Sequence, residues 1–162
     1  MSSSRLRAFA LILAALWAML TWELCTSTKI TSGHRFWWTP WFFNLGHAPL
    51  FGMQAALVGL VLAPSTVEGG WRGLLRAVPE PDARRAAFVM AAVLAVGYGV
   101  LLEWVQSGIP GRSADALDVV MDAVGALGVP WGLSTGWLFG RRTWIVFAIA
   151  GALSAWTTWG RR

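Results

Sequence analysis

A small set of ionisable and amide side chains lies near the ends of long apolar runs in this sequence. The candidate catalytic residues are His47, Glu103, Gln106, Asp118 and Asp122, and the candidate substrate-binding residues are Arg112, Ser113 and Asp115. Glu103 and Gln106 share a helix face because they are three residues apart, and the three aspartates share another at i, i+3 and i+7. An ionisable group at membrane depth costs at least about 2.5–3.5 kcal/mol, so such residues are candidates for function.

These residue types suit acid–base chemistry on a phosphorylated or glycosylated lipid. His47 could act as a general base or a metal ligand, and Glu103 as a general acid or base. Arg112 suits bidentate contact with a phosphate or carboxylate. Asp118 and Asp122 could orient the histidine or hold a divalent cation. The sequence leaves the metal and any cofactor undetermined.

Other interpretations of the same residues stay open. Arg112, Asp118 and Glu103 could form a buried ion-pair network that fixes helix register, and His47 could be a polar group at a helix start. The chain could also be a non-catalytic module that binds an envelope lipid or a partner. A proton-coupled transporter would need a homo-oligomer, because the runs show no inverted repeat.

The composition predicts the elements that must position these residues. Of 162 residues, 56% are hydrophobic and 13% are charged, about half the charge of a soluble domain. A bilayer needs about 20 apolar residues per helix. We predict an all-α polytopic membrane protein, one domain over 1–162, with about five transmembrane helices in a compact bundle. The predicted spans are 6–24, 45–63, 86–106, 115–139 and 143–160.

The charges and the single cysteine exclude several other classes. The net charge is +5, but the basic residues lie at span ends rather than on one face, so we expect no nucleic-acid partner. Cys25 alone cannot form an internal disulfide. With the N-terminus in the cytoplasm, eight Lys or Arg fall in inner segments and five in outer ones. This orientation places the candidate catalytic residues in the outer half of the bilayer, and the aromatic stretch 36–43 in an outer loop, as an interfacial belt or a lid.

Several of these residues resemble the signature of the VanZ-like family. The matching motifs are Asn44-Leu45-Gly46-His47, Glu103-x-x-Gln106, Pro110-Gly111-Arg112-Ser113 and Asp118-x-x-x-Asp122-x-x-Gly125. They cover about 44–128. The chain departs from the family at Phe43-Asn44, where the family often has Asp-Lys, and at Asp122, where it often has Asn.

The resemblance implies a location more than a reaction. VanZ-like proteins are small proteins of the bacterial inner membrane, named from a member linked to resistance to the glycopeptide teicoplanin. For this chain that implies membrane lipids as partners and a multi-pass location in the cytoplasmic membrane. The last apolar run, which precedes Arg161 and Arg162, either spans the membrane or leaves this tail inside.

Overall fold

The computed structural model describes residues 3–27, 39–63, 81–110 and 115–133, and the single positions Ile145, Ala148, Ile149 and Ala152. The described ranges contain four helices. They are α1 (Ser3–Thr26), α2 (Thr39–Leu62), α3 (Pro81–Ser107) and α4 (Ala116–Leu133). The predicted all-helical class is therefore confirmed for this part of the chain.

The helices follow the predicted runs with shifted ends. α2 begins at Thr39, six residues before the predicted span, so part of the aromatic stretch is helical rather than loop. The reason is Pro40, because proline is favoured in the first turn of a helix, where its missing N–H costs nothing. In the fifth run the four single positions are helical. A five-helix bundle is not shown, because the rest of that run lies outside the described residues.

Consecutive helices run in opposite directions. The contacts that fix these directions are Arg7–Ala63 and Trp17–Leu50 between α1 and α2, Gly59–Phe88 and Phe51–Tyr98 between α2 and α3, and Glu103–Asp115 and Gly99–Asp122 between α3 and α4. The ends of α1 and α3 therefore lie beside the starts of α2 and α4. We call this the site end of the bundle.

Small residues allow the helices to approach closely. The buried alanines include Ala48, Ala55, Ala91, Ala92, Ala95 and Ala126. Gly59 lies against the ring of Phe88, and Gly125 lies against the backbone carbonyl of Ala48. In a bilayer, where helices gain little from the hydrophobic effect, close backbone packing of this kind holds them together.

Two of the helices are long and apolar enough to cross a membrane. They are Ser4–Thr26 and Asp82–Ser107, and 22% and 39% of their apolar windows are buried. Gly46–Leu62 is a shorter apolar helix. The outward faces carry large apolar side chains, with Met19 at 69% exposure and Trp104 at 74%. A core helix of a soluble protein would be mostly buried, so these faces are typical of helices that contact lipid.

Candidate functional site

A histidine and a buried carboxylate form the centre of the site end. His47 Nδ1 lies 2.8 Å from Asp122 Oδ1, and the Asp122 side chain is only 1% exposed. When Asp122 is ionised, it accepts this bond and Nδ1–H donates it. The other ring nitrogen, Nε2, lies 4.0 Å from Asp118 Oδ2. His47 and Asp118 keep 13% and 16% of their side chains exposed, whereas Asp122 keeps 1%.

The backbone contact between α2 and α4 explains how the imidazole reaches Asp122. Ala48, the residue after His47, has its carbonyl against Gly125, which leaves no room for a side chain there. Gly125 is three residues after Asp122 and so lies on the same face of α4. Pro49 follows at once inside α2 and removes one intrahelical hydrogen bond, that to the carbonyl of Leu45.

Helix α3 closes the site from the other side at Gly99. A Cβ at this position would overlap Asp122 Oδ2 and would lie 3.0 Å from its Cγ. The carboxylate therefore packs directly on the α3 backbone. Phe51, one turn beyond His47 on α2, lies with its ring nearly parallel to the imidazole at 6.1 Å between centroids. The His47–Asp122 pair is thus held by three helices.

Glu103 uses one carboxylate oxygen and leaves the other without a partner. Its Oε2 accepts a 2.8 Å hydrogen bond from the backbone N–H of Asp115. Its Oε1 is buried and has no hydrogen-bond partner. The side chain is only 6% exposed, and its charge interacts with those of His47, Asp118 and Asp122. We call His47, Glu103, Asp118 and Asp122 the polar cluster.

Asp115 and Gln106 hold helix ends. Asp115 Oδ1 accepts a 2.9 Å bond from Leu117 N–H, so this side chain caps the start of α4. Gln106 donates a 2.8 Å bond from Nε2 to the carbonyl of Cys25, in the last turn of α1. The carbonyls of a last turn lack intrahelical partners, so Gln106 satisfies one of them. Arg112 and Ser113 lie outside the described residues.

The polar cluster supplies acid–base groups and lies below the end of the bundle. At 1.5 Å per residue its members are about 3 to 12 Å from the nearest helix ends. Among the described residues, no group of three or more His, Cys, Asp or Glu side chains has the geometry to hold a metal ion. What the arrangement offers is an imidazole oriented by a buried carboxylate, the usual means of fixing the tautomer of a general base.

Sequence reasoning missed two residues that shape this site. A sequence signal for Gly99 exists, because a glycine within a helix costs about 1 kcal/mol relative to alanine, but the same signal falls on Gly97, where nothing packs. The sequence also carries a signal for Pro49, since a proline inside an apolar run perturbs the helix around it. Gln54 is not among the missed residues, because its spacing of seven from His47 predicts that the two share a helix face; its Oε1 is buried without a partner.

No family model, curated protein or solved structure matches this chain. The likeness to the VanZ-like family therefore stays a resemblance carried by the motifs, and the function must be argued from the site.

Proposed function

We propose that this chain is a multi-pass protein of the bacterial cytoplasmic membrane, with its N-terminus in the cytoplasm and membrane lipids around it. The support is the pair of apolar helices with exposed apolar faces and the position of the basic residues at the ends of runs. In this orientation the site end faces outward. The same layout argues against a nucleic-acid partner, while a homo-oligomer is compatible with it.

An apolar helix near an N-terminus is also typical of a signal sequence, but the contacts of α1 favour a permanent element. Arg7 donates to the carbonyl of Ala63, directly after α2, and Trp17 donates to that of Leu50 within α2, at 2.9 Å each. Tyr98 of α3 donates to the carbonyl of Ala18 at 2.7 Å, and Gln106 donates to that of Cys25. These bonds are spread along the whole helix, which supports α1 as an integral part of the bundle.

We further propose that the polar cluster receives the polar head group of an envelope lipid or a glycopeptide-related ligand, as the VanZ-like resemblance suggests. The observation that carries this is the His47–Asp122 pair. With Nδ1–H bonded to Asp122, Nε2 carries the ring lone pair on the side of Asp118 and can take a proton from a bound hydroxyl or amine. Asp122 is the positioning residue, and it stabilises the imidazolium that forms.

A structural role is the second candidate, and the same bonds favour it. The His47–Asp122 pair joins α2 to α4, and Glu103 joins α3 to the start of α4. Removing one partner of a buried charged pair destabilises a protein by about 3–5 kcal/mol. In that case the chain would be an accessory module of the envelope with an ion-pair network at its centre.

His47→Gln separates the two candidates, because glutamine can still hydrogen-bond to Asp122 but cannot act as a base at neutral pH. We expect the variant to remain in the membrane with nearly unchanged thermal unfolding in detergent. Envelope lipids extracted from cells and compared by mass spectrometry should then show a change that depends on the wild-type chain and is lost in His47→Gln. Ser107→Ala, an exposed position beside the site end, serves as the control.

Two results would reject the functional candidate. One is an identical lipid profile in wild-type, variant and empty cells while the protein is folded and inserted. The other is a lipid change that persists in folded His47→Gln, because the imidazole would then not be the base that the site uses.

A further inference from the structure

Two aromatic rings connect the imidazole of His47 to the backbone of α1. The ring of Phe51 lies nearly parallel to the imidazole, at an angle of 10° and with 6.1 Å between centroids. The ring of Tyr98, on α3, lies 6.1 Å from that of Phe51 and is tilted by 42°. The hydroxyl of Tyr98 donates a 2.7 Å hydrogen bond to the carbonyl of Ala18 on α1. The contacts of the imidazole therefore extend through α3 to α1.

Phe51 is itself firmly held. Its side chain is 1% exposed and belongs to the main apolar core. Protein cores are packed as densely as organic crystals, so a buried ring of this size cannot swing aside without displacing its neighbours. Phe51 follows His47 by four residues, which places both rings on one face of α2. The ring of Phe51 is thus a fixed surface beside the imidazole.

A single hydrogen bond does not fix the orientation of an imidazole. The bond from Nδ1 of His47 to Asp122 holds one ring atom, and the ring plane can still turn about the line that joins the two bonded atoms. The terminal torsion of a histidine side chain has broad preferences, so rotamers alone do not select one plane. Turning the plane would carry Nε2 away from its place 4.0 Å from Asp118 Oδ2. A second contact is needed to keep Nε2 there.

The ring of Phe51 supplies this contact. Aromatic rings favour displaced parallel arrangements with centroids about 4.5–7 Å apart, and the pair of His47 and Phe51 lies within this range. Turning the imidazole would give up the parallel arrangement, because Phe51 cannot turn with it. Asp122 therefore selects which nitrogen carries the proton, and Phe51 selects the plane of the ring.

We infer that Phe51 is a positioning residue for His47, holding the imidazole plane so that Nδ1–H stays on Asp122 and Nε2 stays on the side of Asp118. Tyr98 supports Phe51 through the ring contact and through its bond to α1. The inference rests on the proposed function, which uses Nε2 as the base, and it names the residue that keeps this nitrogen in place.

Hydrogen exchange at the imidazole tests this directly. The chain has two histidines, so with His34→Gln all ¹⁵N-histidine signals come from His47. The Nδ1 proton must leave Asp122 before it can exchange with solvent, so its exchange rate reports how often the bond opens. The rate is measured by NMR in detergent micelles for the parent protein and for Phe51→Leu, which removes the ring and keeps an apolar side chain.

Phe88→Leu is the matched control. Phe88 is 0% exposed and belongs to the same core, but its ring packs on Gly59. It lies eleven residues before Gly99 on α3, which is about 16 Å along the helix axis. Both variants lose a buried ring, and only Phe51→Leu loses the contact with the imidazole.

We expect Nδ1–H to exchange faster in Phe51→Leu by a factor of about 2 to 12, the equivalent of one stacked aromatic pair in an equilibrium constant. Phe88→Leu should leave the rate unchanged. Tyr98→Phe keeps its ring but loses the bond to Ala18, so it should also raise the rate. In a Phe51→Leu background it should have no further effect, because Tyr98 acts through Phe51.

An unchanged rate in Phe51→Leu, or an equal increase in Phe88→Leu, would overturn the inference. If Phe51→Leu does not fold, an unchanged rate in Tyr98→Phe would do the same, because that variant keeps both rings. The proposed function is judged separately by the lipid profile of His47→Gln. An identical profile in all cells would reject the base, while the exchange rates, measured without ligand, would still show whether Phe51 orients the imidazole.

Discussion

Replacing Gly99 by alanine tests whether the approach of α3 to Asp122 holds the polar cluster together. A Cβ at position 99 would overlap Asp122 Oδ2 and would lie 3.0 Å from Cγ and 3.2 Å from Cβ of that residue. Asp122 is 1% exposed, so no solvent-facing rotamer is open to it. The carboxylate must move away from α3, and its 2.8 Å bond to His47 Nδ1 must lengthen or break.

The magnitude follows from three contributions. Inserting a methyl group into a packed core costs about 1–3 kcal/mol. Loss of a hydrogen bond to a charged group costs about 1.5–3 kcal/mol. Alanine in place of glycine favours the helix by about 1 kcal/mol. We therefore expect Gly99→Ala to lower the free energy of unfolding by about 1.5–5 kcal/mol.

The matched control is Gly97→Ala, two residues away on the same helix. A Cβ there meets nothing within 4 Å, so only the helix propensity should change, and stability should stay equal or rise by up to about 1 kcal/mol. Unfolding can be followed by circular dichroism during a titration of dodecylmaltoside micelles with sodium dodecyl sulfate. In an Asp122→Ala background most of the overlap is gone, so the cost of Gly99→Ala should shrink by at least about 1 kcal/mol.

Equal stabilities of the two alanine variants, within about 0.5 kcal/mol, would refute the close approach. So would an unchanged His47 Nδ1 signal in ¹⁵N NMR of Gly99→Ala, since the model of the site requires that bond to be disturbed.

Three further predictions address the bundle and its orientation. Gln106→Leu should lower the free energy of unfolding by about 1–3 kcal/mol, because the carbonyl of Cys25 loses its donor, and should speed proteolysis of α1 in detergent. Gly125→Ala should lower the free energy of unfolding by about 3 kcal/mol or more, because the new methyl group would overlap the backbone carbonyl of Ala48, which cannot move aside as a side chain can. Immunoblots of membrane fractions should then show less inserted protein. Gly108→Cys should react with a membrane-impermeant maleimide in intact cells if the site end faces outward. The new side chain fits because a Cβ there has ordinary contacts, and Cys25 is buried and should not react. Labelling only after lysis would show the opposite orientation.

Much of the helical architecture is predictable from the sequence because the proposed membrane location allows few alternatives. Backbone groups in a bilayer must be bonded within the segment, so long uncharged runs predict helices, and α1 and α3 extend only a few residues beyond their predicted spans. Consecutive antiparallel helices bring the start of α2, the end of α3 and the start of α4 together. The grouping of His47, Glu103 and Asp122 at one end follows from that alternation.

The hydrogen-bond partner of a side chain is harder to predict than its position along the bundle, because the partner depends on the rotation of each helix about its axis. Gln106 shares a face with Glu103, as their spacing predicts, yet the amide bonds to α1 while the carboxylate bonds to the start of α4. Asp115 shares a face with Asp118 but sits at the helix cap, where its side chain bonds to Leu117 N–H. A periodicity argument gives a face about 100° wide and cannot distinguish these directions.

The structural and functional interpretations of the polar cluster can be separated by atom rather than by residue. Glu103 Oε2 and both partners of the His47–Asp122 bond join helices, and a structural network needs nothing more. Glu103 Oε1 adds nothing to such a network, because a buried unsatisfied oxygen costs about 1–3 kcal/mol. Retaining that cost makes physical sense if a ligand donor meets the oxygen. A substitution that preserves the helix-joining atom and changes the other, as Glu103→Gln does, is therefore more informative than removing the side chain.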